Sequence, residues 1–317
     1  MNGSPDDDAS RLVYADELQE KHDPRGEFIA LQIHAARLAP TDPRRNELLV
    51  RATQLLEVHR KDWSPLGLDW QFERGFPNAV QLHVSALRRH EAALQSVATL
   101  EDLEVRFTNA APADLEGLLS LPLLQRVGAL RFNWHTPHQL AVDLLQEPWV
   151  ARLERLQLSW VMLPEQVWQV LGRVESPARH LPALDLMLAD ARDEFLQLLD
   201  PAPWPRLKWL RLSNGRLGTR GCGVLAQAGL FPALEHLDVS WNRIGKQGVA
   251  LLAKSPLIHQ LTSLDLSHCQ IGDEGCAALA EAGPQALRWL SVEHSRVTAE
   301  GVDLLRAGLP SLQFLGA

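Results

Sequence analysis

Between Leu207 and Leu315 the apolar positions follow two patterns that take turns. A triplet with period 2, Leu210-Arg211-Leu212, returns as Leu237-Asp238-Val239, Leu264-Asp265-Leu266 and Leu290-Ser291-Val292, at spacings of 27, 27 and 26 residues. Such alternation predicts a short strand with one buried face. A leucine stands three residues before each triplet (Leu207, Leu234, Leu261, Leu287). A small or amide residue follows (Gly215, Asn242, Cys269, Ser295), then an aliphatic (Leu217, Ile244, Ile271, Val297), then a glycine (Gly221, Gly248, Gly275, Gly301). The second half of each unit, such as Gly248-Val249-Ala250-Leu251-Leu252-Ala253, places apolar residues at helical spacing among good helix formers. One strand and one helix cannot close a core alone, so the units must stack.

The period persists upstream where the wording decays. Triplets begin at Leu103, Leu130, Leu156 and Leu184, and the steps on to Leu210 are 27, 26, 28 and 26. Val80 to Val84 alternates and is expected to start the sheet, followed by a helix from Ala86 to Val97; Leu312 to Leu315 begins a last strand. Counted from Leu82, about ten parallel strands are expected. Asn242 falls where the chain leaves the strand, so its amide is placed to satisfy backbone groups that the turn leaves unpaired. The whole phrase resembles the leucine-rich repeat, and its long, helix-bearing form is similar to the ribonuclease-inhibitor type. That resemblance implies an α/β solenoid over residues 76–317, with a curved parallel sheet inside, helices outside and about nine to ten units.

Residues 1–75 lack the repeat and are expected to form a small all-α domain and a connector. Helices are predicted from Ala9 to about His22, from Glu27 with Phe28, Leu31, Ala35 and Leu38 on one side, and from Asp42-Pro43 to about Lys61. Asp23-Pro24-Arg25-Gly26 is a turn by composition, and Trp63 to Pro77 a connector. Leu12-Val13-Tyr14-Ala15-Asp16, Asp23 to Ile29 and Leu31-Gln32 resemble the bacterial repeat-companion domain, a module found ahead of repeat arrays. The likeness covers roughly residues 6 to 60 and implies a bacterial source; Glu17 stands where that family usually has tryptophan.

The formal charge of -8 argues against a nucleic-acid-binding face. There is no basic segment followed by an apolar run at the N-terminus and no apolar stretch of ~18 residues, so the expectation is a cytoplasmic protein that neither is secreted nor binds membrane. Cys222 and Cys276 fill positions taken by Val249 and Val302 in neighbouring units, and Cys269 takes the asparagine slot; all three read as buried structural residues. No phosphate loop, nucleophile elbow or paired-cysteine motif is present, so no catalytic residue, cofactor or metal is expected.

What remains is the concave face. Residues alternating with the leucines form three columns: Asp102, Ala129, Arg155, Ala183, Trp209, His236, Ser263, Trp289; then Glu104, Arg131, Gln157, Asp185, Arg211, Asp238, Asp265, Ser291; then Phe107, Trp134, Trp160, Leu188, Asn214, Trp241, His268, His294. Five of the ten tryptophans fall here, where leaving such area wet stabilises nothing. Tryptophan beside arginine and aspartate is the composition of a binding hot spot. The competing reading is that the rings only pack along the ladder. The candidate partner-binding residues are thus Phe107, Arg131, Trp134, Arg155, Trp160, Trp209, Arg211, His236, Asp238, Trp241, Asp265, His268, Trp289, Glu293 and His294, with the acid pair Asp238 and Asp265 read as a patch offered to a basic partner. A non-catalytic scaffold that binds another protein is expected, as an inhibitor or immunity protein or as a signalling adaptor. The alternative is a regulator of a small GTPase, for which Arg131, Arg211 or Arg243 would supply the arginine.

Overall fold

The structure, a computed structural model, describes residues 8–39, 42–133, 135–159, 163–187 and 191–317. It divides into two compact units, Met1–Glu104 with Leu121–Val127, and Val105–Ser120 with Gly128–Ala317.

In the first unit, helices α1 (Asp8–Glu20), α2 (Pro24–Arg37) and α3 (Pro43–Trp63) pack in sequence. The second helix begins three residues earlier than its apolar face suggests. Asp23-Pro24-Arg25 is not a free turn but a cap: the Asp23 carboxylate accepts the Arg25 N–H at 2.9 Å while Pro24 takes the first turn, where no N–H is needed. Asp42-Pro43-Arg44 repeats the device at α3, again at 2.9 Å. Ile29 and Ile33 of α2 bury against Ala15 of α1, and Phe28 stacks on Trp63 of α3 at 5.0 Å between ring centroids.

The expected connector contains a strand. β1 (Trp70–Glu73) pairs antiparallel with β2 (Phe76–His83) across Arg74 and Gly75, both at positive φ, which is the two-residue turn whose twist suits a hairpin. Gly75 is required there: its N–H donates to Gln32 Oε1 at 2.7 Å, and a Cβ would strike the backbone of Ile29. Helix α4 (Val84–Gln95) follows, close to its expected place.

β3 (Asp102–Arg106) straddles the division. In the second unit β4 (Ala129–Asn133), β5 (Arg155–Ser159), β6 (Ala183–Asp185), β7 (Trp209–Arg211), β8 (His236–Asp238), β9 (Ser263–Asp265), β10 (Trp289–Ser291) and β11 (Phe314–Gly316) pair in parallel, in sequence order. Among the described residues ten strands run from β2 to β11, where about ten are expected from Leu82, and β1 is an additional, antiparallel one. From β4 to β10 the first leucine of each triplet shares one rung, Leu130↔Leu156↔Leu184↔Leu210↔Leu237↔Leu264↔Leu290, and all seven are buried. Helices Gly245–Ala253, Gly272–Ala282 and Ala299–Gly308 complete the last units, whereas earlier units use shorter helices and 3-10 turns. The recurring glycine marks where helix and turn touch: a Cβ on Gly248 would come within 2.6 Å of Ile244 Cγ2. This is a leucine-rich repeat solenoid with a helical region before it.

The turn that leaves each strand is closed by the next unit. Asn242 is buried; its Oδ1 accepts the N–H groups of Gly215 and Leu217 at 2.9 Å each, and its Nδ2 donates to the carbonyls of Leu212 and Val239 at 2.8 Å. Two units on, Ser295 Oγ accepts the Cys269 N–H at 2.9 Å and donates to the Leu266 carbonyl at 2.6 Å. Asn242→Ala would strand three buried backbone groups at once, the Gly215 and Leu217 N–H groups and the Leu212 carbonyl, while the Val239 carbonyl keeps the Cys269 thiol. We expect it to lower unfolding free energy by about 3 kcal/mol or more in urea titrations. A change within a few tenths would mean that water replaces the amide.

Candidate functional site

The strand face opposite the buried leucines carries the three columns, and its geometry follows from the turn just described. Asn214, Trp241, His268 and His294, each immediately before the slot residue, have φ between 53° and 58°. This left-handed backbone is unfavourable for bulky residues. It is held because their N–H groups stay in the ladder: Asn214 donates to Ser240, Trp241 to Ser267 and His268 to Glu293 at 2.9, 2.8 and 2.8 Å. The same conformation turns the side chains outward. Trp241 is 57% exposed and lies face to face on His268, centroids 3.5 Å apart and planes 14° from parallel; His268 in turn meets His294 at 4.6 Å.

Phe107 does not join this column. It is 2% exposed and packs edge-on against Phe132 at 5.0 Å. The left-handed residue in that unit is Asn109, so Phe107 continues the inward alternation of Leu103 and Val105 instead of turning out. Trp134 and Trp160 lie outside the described residues, as does Leu188. Arg131 sits half-buried on β4, in register with Gln157.

The other two columns come together on β5 to β10. Trp209 is half-buried with the guanidinium of Arg211 at 5.2 Å from its ring centroid and that of Arg155, an exposed side chain, at 5.5 Å. Arg155 can reach because Ala183 is the residue between them in the rung. Arg211 Nε bonds Asp238 Oδ2 at 2.6 Å and its Nη1 lies 3.4 Å from Asp185 Oδ2. Burial works against the Arg211 charge, yet the two carboxylates outweigh it and hold its pKa above the usual value. His236 is half-buried, its Nδ1 3.5 Å from Thr262 Oγ1. Trp289 stacks on Phe314, centroids 5.3 Å apart and planes 6° apart. Glu293 and His294 are exposed. The tryptophans outside the three columns, Trp63, Trp70, Trp149, Trp168 and Trp204, are all buried.

Sequence reasoning passed over three contributors. Ser240 and Ser267 each stand two residues after an aspartate and fix its carboxylate: Ser240 donates its N–H and Oγ to Asp238 Oδ1 at 3.0 and 2.6 Å, and Ser267 donates both groups to Asp265 Oδ1. The Asp-x-Ser spacing was the available signal. Phe314, the ring beneath Trp289, was readable only as part of the last strand. The three cysteines are buried and unpaired, and burial pushes each thiol up to about 12, so none supplies a thiolate near neutral pH. Among the described residues no three histidine, cysteine or acidic side chains gather as a metal site, and no helix is long and apolar enough to cross a membrane.

Burial raises the pKa of Asp265, against the opposing bonds from Ser267. A carboxyl whose folded pKa exceeds its unfolded one binds its proton more tightly when folded, so its contribution to stability is lost as pH rises through that window. At pH 7 the buried charge is therefore a standing cost. Asp265→Asn is expected to melt at a higher temperature than wild type at pH 7, with the difference shrinking as pH falls toward about 4, the unfolded aspartate value. A variant less stable at pH 7 would contradict this.

Comparisons with known proteins agree with the repeat. The family described as Leucine Rich repeat matches residues 232–253 and 259–280, the stretches that carry β8 and β9. No curated protein matches the chain. Among solved structures, a chain of the Rad7–Elc1 complex from yeast is similar at 14% identity, over 96% of this chain and 90% of that one, with a TM-score of 0.52. A protein from Bacteroides fragilis is similar at 14% identity over 84% and 82% of the chains, TM-score 0.46, and an internalin from Listeria monocytogenes at 15% over 71% and 71%, TM-score 0.39.

Proposed function

We propose that this chain is a non-catalytic scaffold that binds a protein partner on the strand face of its second unit. The observation that carries the reading is Trp241: a large ring more than half exposed, on a left-handed backbone, already stacked on His268. A ring fixed this way loses little freedom on binding, which is how a rigid aromatic contributes affinity. Stacking along the ladder also occurs, as the Trp289–Phe314 pair shows, but it leaves the outer area of Trp241 in water. Of the arginines that a GTPase regulator would present, Arg211 is committed to Asp185 and Asp238. That reading would then rest on Arg131 or Arg243, whereas the exposed, stacked Trp241 favours partner binding. The yeast structure of similar fold is that of a complex, which accords with an interaction role. Inhibition of a partner enzyme and assembly of a signalling complex both use such a face; the partner's identity distinguishes them.

Affinity capture with wild type and Trp241→Ala tests the proposal. A hot-spot ring is worth about 2 kcal/mol or more, so capture of the partner should fall by roughly thirtyfold while the melting temperature moves by no more than about 2 °C. Equal capture by both chains, or a large fall in melting temperature, would instead favour a packing role for the ring.

A further inference from the structure

Resting on the partner-binding reading, the charge pattern of the middle column identifies what one part of the face takes. In register across β6 to β10 the column reads Asp185, Arg211, Asp238, Asp265, Ser291. Arg211 answers both of its acidic neighbours and lies over Trp209 of its own strand. Asp238 is fully used, with Oδ2 bonded to Arg211 and Oδ1 to Ser240. Asp265 is different. Both of its hydrogen bonds fall on Oδ1, from Ser267, and among the described residues no lysine or arginine pairs with Oδ2. Its neighbour in the rung, Asp238, carries the same charge one strand away, which is unfavourable. On the other side Ser291 is neutral, 2.9 Å from Ser267 Oγ.

The strand beyond supplies the comparison. Trp209-Leu210-Arg211 on β7 and Trp289-Leu290-Ser291 on β10 occupy the same positions of their repeats. Each tryptophan has an aspartate on the adjacent strand, but only the first is followed by an arginine that bonds it. An open depression lies over Asp238 and Asp265 and is bounded by Trp209 and Trp289, three strand spacings or ~14 Å apart, with His236 and Ser263 between them and Arg211 lining its Trp209 end, where it is held by Asp238. We propose that this depression binds a guanidinium side chain of the partner, hydrogen-bonded to Asp265 Oδ2 and seated against Trp289, as Arg211 is bonded to Asp238 and seated over Trp209. The ligand class is an arginine side chain. It supplies the charge that the column lacks beside Asp265, and the tryptophan supplies the flat face on which a guanidinium stacks.

The test uses the full chain, with tryptophan indoles labelled with nitrogen-15, titrated with the peptide acetyl-Gly-Arg-Gly-amide. The control is the same peptide with citrulline, which keeps the shape and loses the charge. The arginine peptide should shift the Trp289 and Trp209 indole resonances with a dissociation constant in the millimolar range, and Asp265→Asn should weaken it about tenfold or more. Asp265→Asn is a near-isosteric change, and its melting curve reports whether it folds; Trp289→Ala gives a second variant that should also weaken binding. Equal binding of citrulline, equal binding by Asp265→Asn, or no shift of Trp289 would overturn the assignment. Those outcomes leave the Trp241 capture result untouched, so failure of the pocket and failure of the binding surface are read separately.

Discussion

Everything on the face depends on how the chain leaves a three-residue strand. A strand that short must turn immediately, and the turn points backbone N–H and carbonyl groups into the interior, where unpaired they would destabilise the fold. Asn242 resolves this with one amide that reaches four such groups on its own turn and the one before. Ser295 and Cys269 do it with less, the hydroxyl taking one N–H and one carbonyl while the Cys269 thiol lies 3.1 Å from the Val239 carbonyl. Because the groups joined are 25 to 30 residues apart in sequence, each repeat is finished by its neighbour, and the array holds as a set rather than as separate units.

The turn also determines what the face displays. To keep its N–H in the ladder, the residue before the slot takes a left-handed backbone, at a strain of order 1 kcal/mol for a non-glycine residue. The consequence is a side chain thrown outward. Where the residue is Trp241, His268 or His294 a stacked column results. Beside it, the middle column is an electrostatic ladder in which Arg211 bonds Asp238 and pairs with Asp185 but reaches Asp265 only at longer range. Shape and charge on this face thus share one cause, the parallel register imposed by the buried leucine rung.

The repeat was legible because it rests on apolar residues whose period survives when polar letters drift, as at Leu130, Leu156 and Leu184. Asn242 was legible in kind, since a side-chain amide offers two N–H donors and a carbonyl acceptor together. What was not legible depended on backbone conformation. Phe107 and Trp241 hold the same place by count, yet one is buried and one exposed, because the left-handed residue shifts by two in the earlier unit. The hairpin of β1 and β2 hid behind Arg74-Gly75, a turn whose arginine carries no strong sequence signal. Asp23 looked like part of a loop until its carboxylate was seen to cap α2. The engagement of Arg211 required the register of three strands, which no single repeat contains.

The central claim is that Trp241 is held rigid in water by its backbone and by His268, ready for a partner. Nitrogen-15 relaxation of its indole N–H measures this directly in the free protein. The account predicts an order parameter close to that of ordered backbone, about 0.85, despite the exposure of the ring. A value below about 0.6 would mean that the ring swings freely, and the surface would not be pre-organised.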